Sequence, residues 1–161
     1  RTERMVNAAL SNGLPPFLTT SGGVNSGFMI VQYSAASMVS ENKVLAHPAC
    51  VDSIPSSANQ EDFVSMGTTA ARKAGWILQN TLSVLAFELL TACQAIDLRR
   101  RQEKFGCGLS PVQEAVFSHV REKVDFMEID REIWPDIREV ESMVRSGELL
   151  DIAYRLVPDF D

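Results

Sequence analysis

The chain has 161 residues, of which 22% are charged and 45% hydrophobic, and its formal net charge is −6. This composition is ordinary for a globular domain, and the acidic balance argues against non-specific nucleic-acid binding, which needs clustered Lys and Arg. The one basic run, Arg99–Arg101, is interpreted as a solvated helix end that complements the helix dipole. The three cysteines and two histidines lack CxxC or metal-ligand spacing, so neither a disulfide framework nor a metal site is expected.

The chain reads as helical throughout, because runs of alternating β-branched residues are missing. The first predicted helix covers residues 2–11. A second helix is expected from about residue 25 to residue 46, since Phe28, Val31 and Ala35 recur at helical spacing and form an apolar stripe.

Residues 47–61 contain two prolines and several small polar residues, which predicts an irregular loop. A loop of this length inside a helical protein is often functional. A third, very long helix is expected over residues 63–99; it is apolar on most sides, as is typical of a helix buried among other helices. Ser83 and Glu88 interrupt its most apolar stretch, so no membrane-spanning helix is expected.

Shorter helices are expected in the last third of the chain. Residues 102–109 read as a linker, and Ser110 to Gln113 combine an N-cap serine, a proline at the first helical position and a capping box. Trp134-Pro135 is expected to precede a short helix that Gly147 ends, and a final helix is expected near residues 148–155.

Two parts are therefore expected. Residues 1–101 would hold the long helices with a candidate functional loop at residues 47–62, and residues 102–161 would hold short C-terminal helices. Cysteines without a disulfide pattern favour a cytoplasmic protein.

One uninterrupted stretch, Gly22 to Gly67, carries most of the polar motifs. In chain order it contains Asn25-Ser26-Gly27-Phe28-Met29, Ser40-Glu41-Asn42-Lys43, His47-Pro48, Val51-Asp52-Ser53-Ile54-Pro55 and Ser57-Ala58-Asn59-Gln60-Glu61-Asp62. On these motifs the chain resembles the C-terminal part of the histidine ammonia-lyase family, one of the aromatic amino acid lyases and aminomutases. The resemblance is strongest over residues 14–98 and weaker towards the end of the chain.

The resemblance implies an all-α fold, a bundle of long helices that forms the C-terminal part of the aromatic amino acid lyase fold. It also implies a cytoplasmic homotetramer whose active sites combine residues of more than one subunit. Enzymes of this family use a methylidene-imidazolone (MIO) electrophile, formed by cyclisation of an internal Ala-Ser-Gly. No Ala-Ser-Gly occurs in this sequence. The chain is therefore expected to be a piece of a longer enzyme and to be inactive by itself.

Glu61 is the strongest candidate for a catalytic and substrate-binding residue. From the residues alone, Glu61 and Asp62 could simply fill the first turn of the third helix, where acidic residues are favoured. A carboxylate at the mouth of a helix bundle could instead bind a cation or act as a base. The resemblance favours a functional role, because it implies that the glutamate of the Asn-Gln-Glu-Asp motif lines the active site near the imidazole of the substrate.

The neighbours of Glu61 are expected to support it. Asn59 and Gln60 would hold the loop and Glu61 by hydrogen bonds, and Gln60 would also contact the substrate. Glu41, Asn42 and Lys43 are expected to make inter-helix or inter-subunit contacts, because polar groups inside a packed helix must be paired.

The implied reaction is the non-oxidative elimination of ammonia from L-histidine, which gives trans-urocanate. In this mechanism the electrophile takes up the substrate amine, a base removes a β-proton, and Glu61 holds and polarises the imidazole. Phe63 departs from the family pattern, which has a histidine at that position. The alternatives are therefore a tyrosine or phenylalanine ammonia-lyase or an aminomutase of the same family, and, from a different class, a non-catalytic helical association module.

Overall fold

The computed structural model describes residues 1–102 and 108–157. The helices, in chain order, are α1 (Thr2–Val6), α2 (Met29–Leu45), α3 (Gly67–Arg101), α4 (Pro111–Arg121), α5 (Trp134–Ser146) and α6 (Glu148–Leu156). Short 3₁₀ turns occur at Pro16–Leu18, Ala49–Val51 and Ser57–Asn59. No β-strand forms within the described residues, and the predicted all-α fold is confirmed. Part of the predicted linker, residues 103–107 with Cys107, lies outside the described residues.

Three predicted helices begin or end elsewhere than expected. α1 ends at Val6, because Asn7 turns to extended backbone and its side-chain oxygen accepts the N–H of Ala9 at 3.0 Å. Asparagine favours such local turns over a continuing helix. α2 begins at Met29 rather than residue 25, and α3 begins at Gly67 rather than residue 63.

The helix starts and stops of the C-terminal part follow the local signals. Both reciprocal bonds of the capping box form at the start of α4, between Ser110 and Gln113. Gly147 ends α5 in the left-handed conformation, with φ of 83°, which a residue without Cβ adopts at no steric cost.

The core surrounds the C-terminal half of α3. α5 packs along α3, and α6 packs against α4 and α5. The buried residues of α3 are Ala86, Phe87, Leu90, Thr91, Cys93, Gln94, Ala95 and Leu98. Phe117 and Val120 of α4 and Val140 and Met143 of α5 belong to the same apolar cluster. The core thus crosses residue 101, while the two-part division of the chain stays a prediction.

The N-terminal half of α3 is exposed. Trp76 and Leu78 have 50% and 56% of their surface exposed. This exposure is what we expect of a chain with too few residues to surround an apolar helix of this length.

By length and composition alone, α3 is long and apolar enough to cross a membrane, and 44% of its most apolar stretch is buried. The sequence predicted no membrane-spanning helix, because Ser83 and Glu88 interrupt the apolar stretch, and that stays a prediction. The buried core helix of a soluble protein passes the same test.

A fully buried amide, Gln94 of α3, joins two loops. Its Nε2 donates to the carbonyls of Leu18 (3.3 Å) and Met127 (2.9 Å), and its Oε1 accepts the N–H of Met127 (3.1 Å). Leu18 and its neighbour Phe17 have φ of 55° and 54°, the left-handed region that costs ordinary residues about 1–2 kcal/mol each. The buried hydrogen bonds of Gln94 help to hold this turn in place.

Each arginine of the run Arg99–Arg101 binds a different segment. Successive side chains on a helix point about 100° apart, so the three guanidinium groups spread around the end of α3. Arg99 donates to the carbonyls of Ser11 and Asn12 (2.5 and 2.6 Å). Arg100 donates to the carboxylate of Glu114 (2.5 Å), and Arg101 donates to the carboxylate of Glu128 (2.5 Å). The run forms the C-terminal end of α3 as expected, with Arg100 and Arg101 exposed, and its side chains also bind three neighbouring segments.

Candidate functional site

The predicted functional loop lies between α2 and α3, and its tip is a tight turn from Ser56 to Glu61. Three consecutive residues of this turn, Ser57, Ala58 and Asn59, have φ of 51°, 55° and 67°. None is glycine, so each is in a conformation that costs about 1–2 kcal/mol. Strained backbone of this kind persists only where surrounding contacts impose it.

Backbone hydrogen bonds close the turn. The N–H of Ser56 donates to the carbonyl of Glu61 at 2.9 Å, and the N–H of Glu61 donates to the carbonyl of Ser56 at 3.3 Å. Inside this ring, the N–H of Gln60 donates to the carbonyl of Ser57 at 3.1 Å. The two ends of the turn therefore lie side by side, which places the side chains of Ser56 and Glu61 together.

The Glu61 carboxylate is exposed, and one of its oxygens accepts a hydrogen bond. The hydroxyl of Ser56 donates to Glu61 Oε2 at 2.8 Å, whereas Oε1 has no hydrogen-bond partner within residues 1–102 and 108–157. Because α3 begins only at Gly67, Glu61 does not fill the first turn of a helix. The structural alternative weighed for Glu61 is thus excluded, and the carboxylate remains available to accept an N–H group.

Asn59 and Gln60 act through their backbone rather than through side-chain hydrogen bonds. Asn59 supplies one of the left-handed residues, a conformation that asparagine tolerates better than most. Within the described part of the chain, neither side chain donates or accepts a hydrogen bond. Gln60 helps to hold the loop through its backbone N–H, which donates to the carbonyl of Ser57. The assignment of Asn59 and Gln60 as supporting and substrate-binding residues stays a prediction.

Two further contacts fix the base of the loop. The N–H of Val64 donates to Ser53 Oγ at 2.9 Å and ties the two arms together. Lys73 of α3 donates through Nζ to the carbonyl of His47, at the point where the chain leaves α2. The sequence did not single out Ser53, Ser56 or Lys73, because each pairing joins residues whose proximity depends on the turn itself.

The polar residues late in α2 form the expected inter-helix contact. Asn80 of α3 donates through Nδ2 to Glu41 Oε2 (2.7 Å) and to Asn42 Oδ1 (3.0 Å). This polar contact joins α2 to α3 and is separate from the Glu61 turn. Lys43 is exposed.

Phe63, the residue that departs from the family pattern, is 73% exposed. It follows the turn and precedes α3, so it lies on the same segment as Glu61. Its ring is free to meet a substrate or another part of a larger protein.

Two cavities of about 510 Å³ each, in the described part of the chain, lie away from the loop. One is polar and lies along α5 around Glu141, and the other is apolar and lies between α3 and the α5–α6 corner, lined by residues such as Leu85, Val144 and Leu150. Neither contains a residue of the loop. Glu61 thus lies on an open surface in this chain, where a complete substrate pocket would need further walls.

The described residues hold no arrangement of three or more His, Cys, Asp or Glu side chains suited to a metal ion. Cys50 in the loop and Cys93 in α3 are both free thiols. Burial raises the pKa of the Cys93 thiol to about 11.

Comparison with known proteins places this geometry in a family. The family model for aromatic amino acid lyases matches residues 1–122. A histidine ammonia-lyase of Natranaerobius thermophilus is 58% identical over 150 residues, which are 93% of this chain and 29% of that protein.

Solved structures share the fold. The histidine ammonia-lyase of Trypanosoma cruzi is 46% identical with a TM-score of 0.90, and 98% of this chain matches 30% of that one. The tyrosine aminomutase of Streptomyces globisporus is 39% identical with a TM-score of 0.87, over 96% of this chain and 28% of that one. The chain thus spans less than a third of the length of the relatives it matches. Its sequence and fold together show that the chain belongs to the aromatic amino acid lyase family.

Proposed function

We propose that this chain is the C-terminal part of a histidine ammonia-lyase, which eliminates ammonia from L-histidine and leaves trans-urocanate. The observation that carries the proposal is the Glu61 carboxylate, which the closed turn presents to solvent with one oxygen held and the other free. The relatives named histidine ammonia-lyase, at 58% and 46% identity, support the choice of substrate.

Glu61 suits an imidazole better than it suits a phenyl ring. An imidazole offers an N–H donor and can carry a positive charge near neutral pH, and a carboxylate accepts the first and stabilises the second. A phenyl ring offers neither. In this proposal, Glu61 therefore binds and orients the ring of the substrate while the amino end reacts elsewhere in the site.

The MIO electrophile is part of the proposal for the complete enzyme. This chain lacks the Ala-Ser-Gly from which the group forms, so its residues do not fit that role. When present, the group supplies the electrophile for the amino end of the substrate. In this proposal, the residues of this chain bind the ring of the substrate and shape the site.

Assembly into a homotetramer in the cytoplasm belongs to the same proposal. The exposed apolar side chains of α3, among them Trp76, Leu78 and Leu85, support burial against further polypeptide, since large exposed apolar surfaces mark interaction sites. The free thiols of Cys50 and Cys93 are typical of a reducing compartment.

A second candidate is a tyrosine or phenylalanine ammonia-lyase or an aminomutase. Phe63 favours it, because an exposed phenyl ring beside Glu61 replaces a titrating imidazole. The similarity to the tyrosine aminomutase, at 39% identity, also favours it.

The deciding experiment measures ammonia release by the complete enzyme, supplied separately with L-histidine, L-tyrosine and L-phenylalanine. We expect turnover of L-histidine alone. Turnover of tyrosine or phenylalanine would favour the second candidate, and no turnover of any of them would favour a non-catalytic helical module. Residues 1–161 by themselves are expected to release no ammonia from any of the three.

A further inference from the structure

The hydrogen bond between Ser56 and Glu61 fixes one oxygen of the candidate carboxylate. The hydroxyl of Ser56 lies 2.8 Å from Glu61 Oε2. Two backbone hydrogen bonds join the same pair of residues. The backbone of the turn therefore places the Ser56 hydroxyl next to the Glu61 carboxylate.

This bond limits the freedom of an otherwise mobile side chain. Glutamate is among the side chains that lose most rotamer entropy on being fixed, up to about 2 kcal/mol. An exposed glutamate without a partner would sample many orientations, and the bond to Ser56 removes most of them before a substrate arrives. Binding groups held in advance in the productive geometry lose less entropy on binding.

The backbone at Ser56 is compatible with this role. Ser56 has φ of −130° and ψ of −178°, an extended conformation that β-branched residues also adopt. Its neighbour Ser57 has φ of 51°, and its hydroxyl makes no hydrogen bond within the described residues. The turn thus offers two adjacent serines, of which one contacts the carboxylate and one does not.

We propose that Ser56 is a positioning residue that holds Glu61 with Oε1 directed to the imidazole N–H of histidine. The inference rests on the proposed function, since it assigns a helper to the residue that binds the substrate ring. Ser56 itself need not touch the substrate.

The experiment compares single variants of the complete enzyme with L-histidine as substrate. Ser56→Ala is expected to lower kcat/KM about 5- to 20-fold, near the low end of the effect of losing a hydrogen bond to a charged group, because both residues are exposed. Ser56→Thr, which keeps a hydroxyl on a compatible backbone, is expected to stay within about threefold of the wild type. Ser57→Ala is the matched control and is expected to change kcat/KM less than about twofold. Thermal midpoints of all three variants should equal that of the wild type.

A double-mutant cycle tests whether Ser56 acts through the carboxylate. In the background of Glu61→Ala, the additional change Ser56→Ala should alter kcat/KM by less than about twofold, because the acceptor is already gone. An equal loss in both backgrounds, or a fallen thermal midpoint, would mean that Ser56 is merely structural and would overturn the inference. If Glu61→Ala leaves no measurable rate, the decision rests on the single variants, and equal rates for Ser56→Ala and Ser57→Ala overturn it.

The outcomes separate the inference from the function on which it rests. If the enzyme turns over histidine and needs Glu61 but tolerates Ser56→Ala, only the positioning role is wrong. If histidine is not turned over at all, the proposed function fails and the inference fails with it.

Discussion

The side-chain amide of Gln94 pairs with both backbone groups of Met127, donating to the carbonyl at 2.9 Å and accepting the N–H at 3.1 Å. The two hydrogen bonds resemble those that pair residues of neighbouring β-strands, but here a side-chain amide inside an apolar core makes them. Only 1% of Gln94 is exposed, so the backbone groups that it pairs with are shielded from solvent.

Gln94→Ala is therefore expected to lower the free energy of unfolding by about 2–4 kcal/mol, since it leaves buried backbone groups of Met127 and Leu18 without partners. Chemical denaturation followed by circular dichroism measures this. Gln79→Ala is the matched control, because Gln79 lies exposed on the same helix, and it should change stability by less than about 0.5 kcal/mol. Similar values for the two variants would contradict the role of the buried amide.

Gly27→Ala is expected to destabilise the protein by about 2–4 kcal/mol. A Cβ at this position would lie 2.4 Å from the carbonyl oxygen of Phe17, and φ is 56°, so both a steric clash and an unfavourable backbone conformation arise.

Gly22→Ala provides the comparison for this prediction. A Cβ there would meet nothing within 4 Å, and a change below about 0.5 kcal/mol is expected. The thermal midpoint of each variant is the measurement. Equal shifts for the two glycine variants would show that the close approach of Gly27 to Phe17 has no energetic weight.

The stability of the protein is expected to fall as the pH rises from about 9 to 11. Burial raises the pKa of the Cys93 thiol from its ordinary value to about 11, while the nearby Arg121 opposes and Asp97 adds to the shift. The folded state thus keeps the proton more tightly than the unfolded state does. The stabilisation is complete below the unfolded pKa and is lost as the pH passes through this window, by about 2–3 kcal/mol in all.

Denaturation midpoints measured across this pH range test the thiol directly. Cys93→Ala should flatten the decline, because it removes the titrating group. Cys50→Ala should leave the decline as it is, since Cys50 is exposed. A decline of the same slope in both variants would assign the pH dependence to other groups.

Substitutions of Glu61 and Phe63 should differ in their effect on histidine turnover. Glu61→Gln is expected to lower kcat/KM about 10- to 100-fold, because a neutral amide binds an imidazole more weakly than a carboxylate does. Phe63→His is expected to change it less than about threefold, since the Phe63 ring is mostly exposed. Steady-state kinetics of the complete enzyme decide this, and the opposite order of effects would identify Phe63 as the specificity residue.

The sequence predicts those features that depend on neighbouring residues. The capping box of Ser110 and Gln113 and the stop at Gly147 are confirmed, because each signal lies within one helical turn of the structure it specifies. The family resemblance and the all-α fold are confirmed as well.

The contacts that shape the candidate site could not be predicted in the same way. Nothing in Ser57, Ala58 or Asn59 favours three successive left-handed residues, since two of these types avoid that region. The contact of Ser56 with Glu61 depends on that turn. Likewise, the partners of Gln94 lie in two distant loops, so only the assembled core reveals why an amide occupies an apolar helix.

The spread of Arg99, Arg100 and Arg101 around the end of α3 also constrains the length of the chain. Deleting or inserting one residue between Gln94 and Arg99 would turn the end of the helix by about 100°. All three guanidinium groups would then leave their acceptors together, while Gln94 kept its own. The number of residues in this short interval should therefore be as tightly constrained as its buried side chains, because the arginine run fixes the rotation of α3 relative to the three segments that the arginines bind.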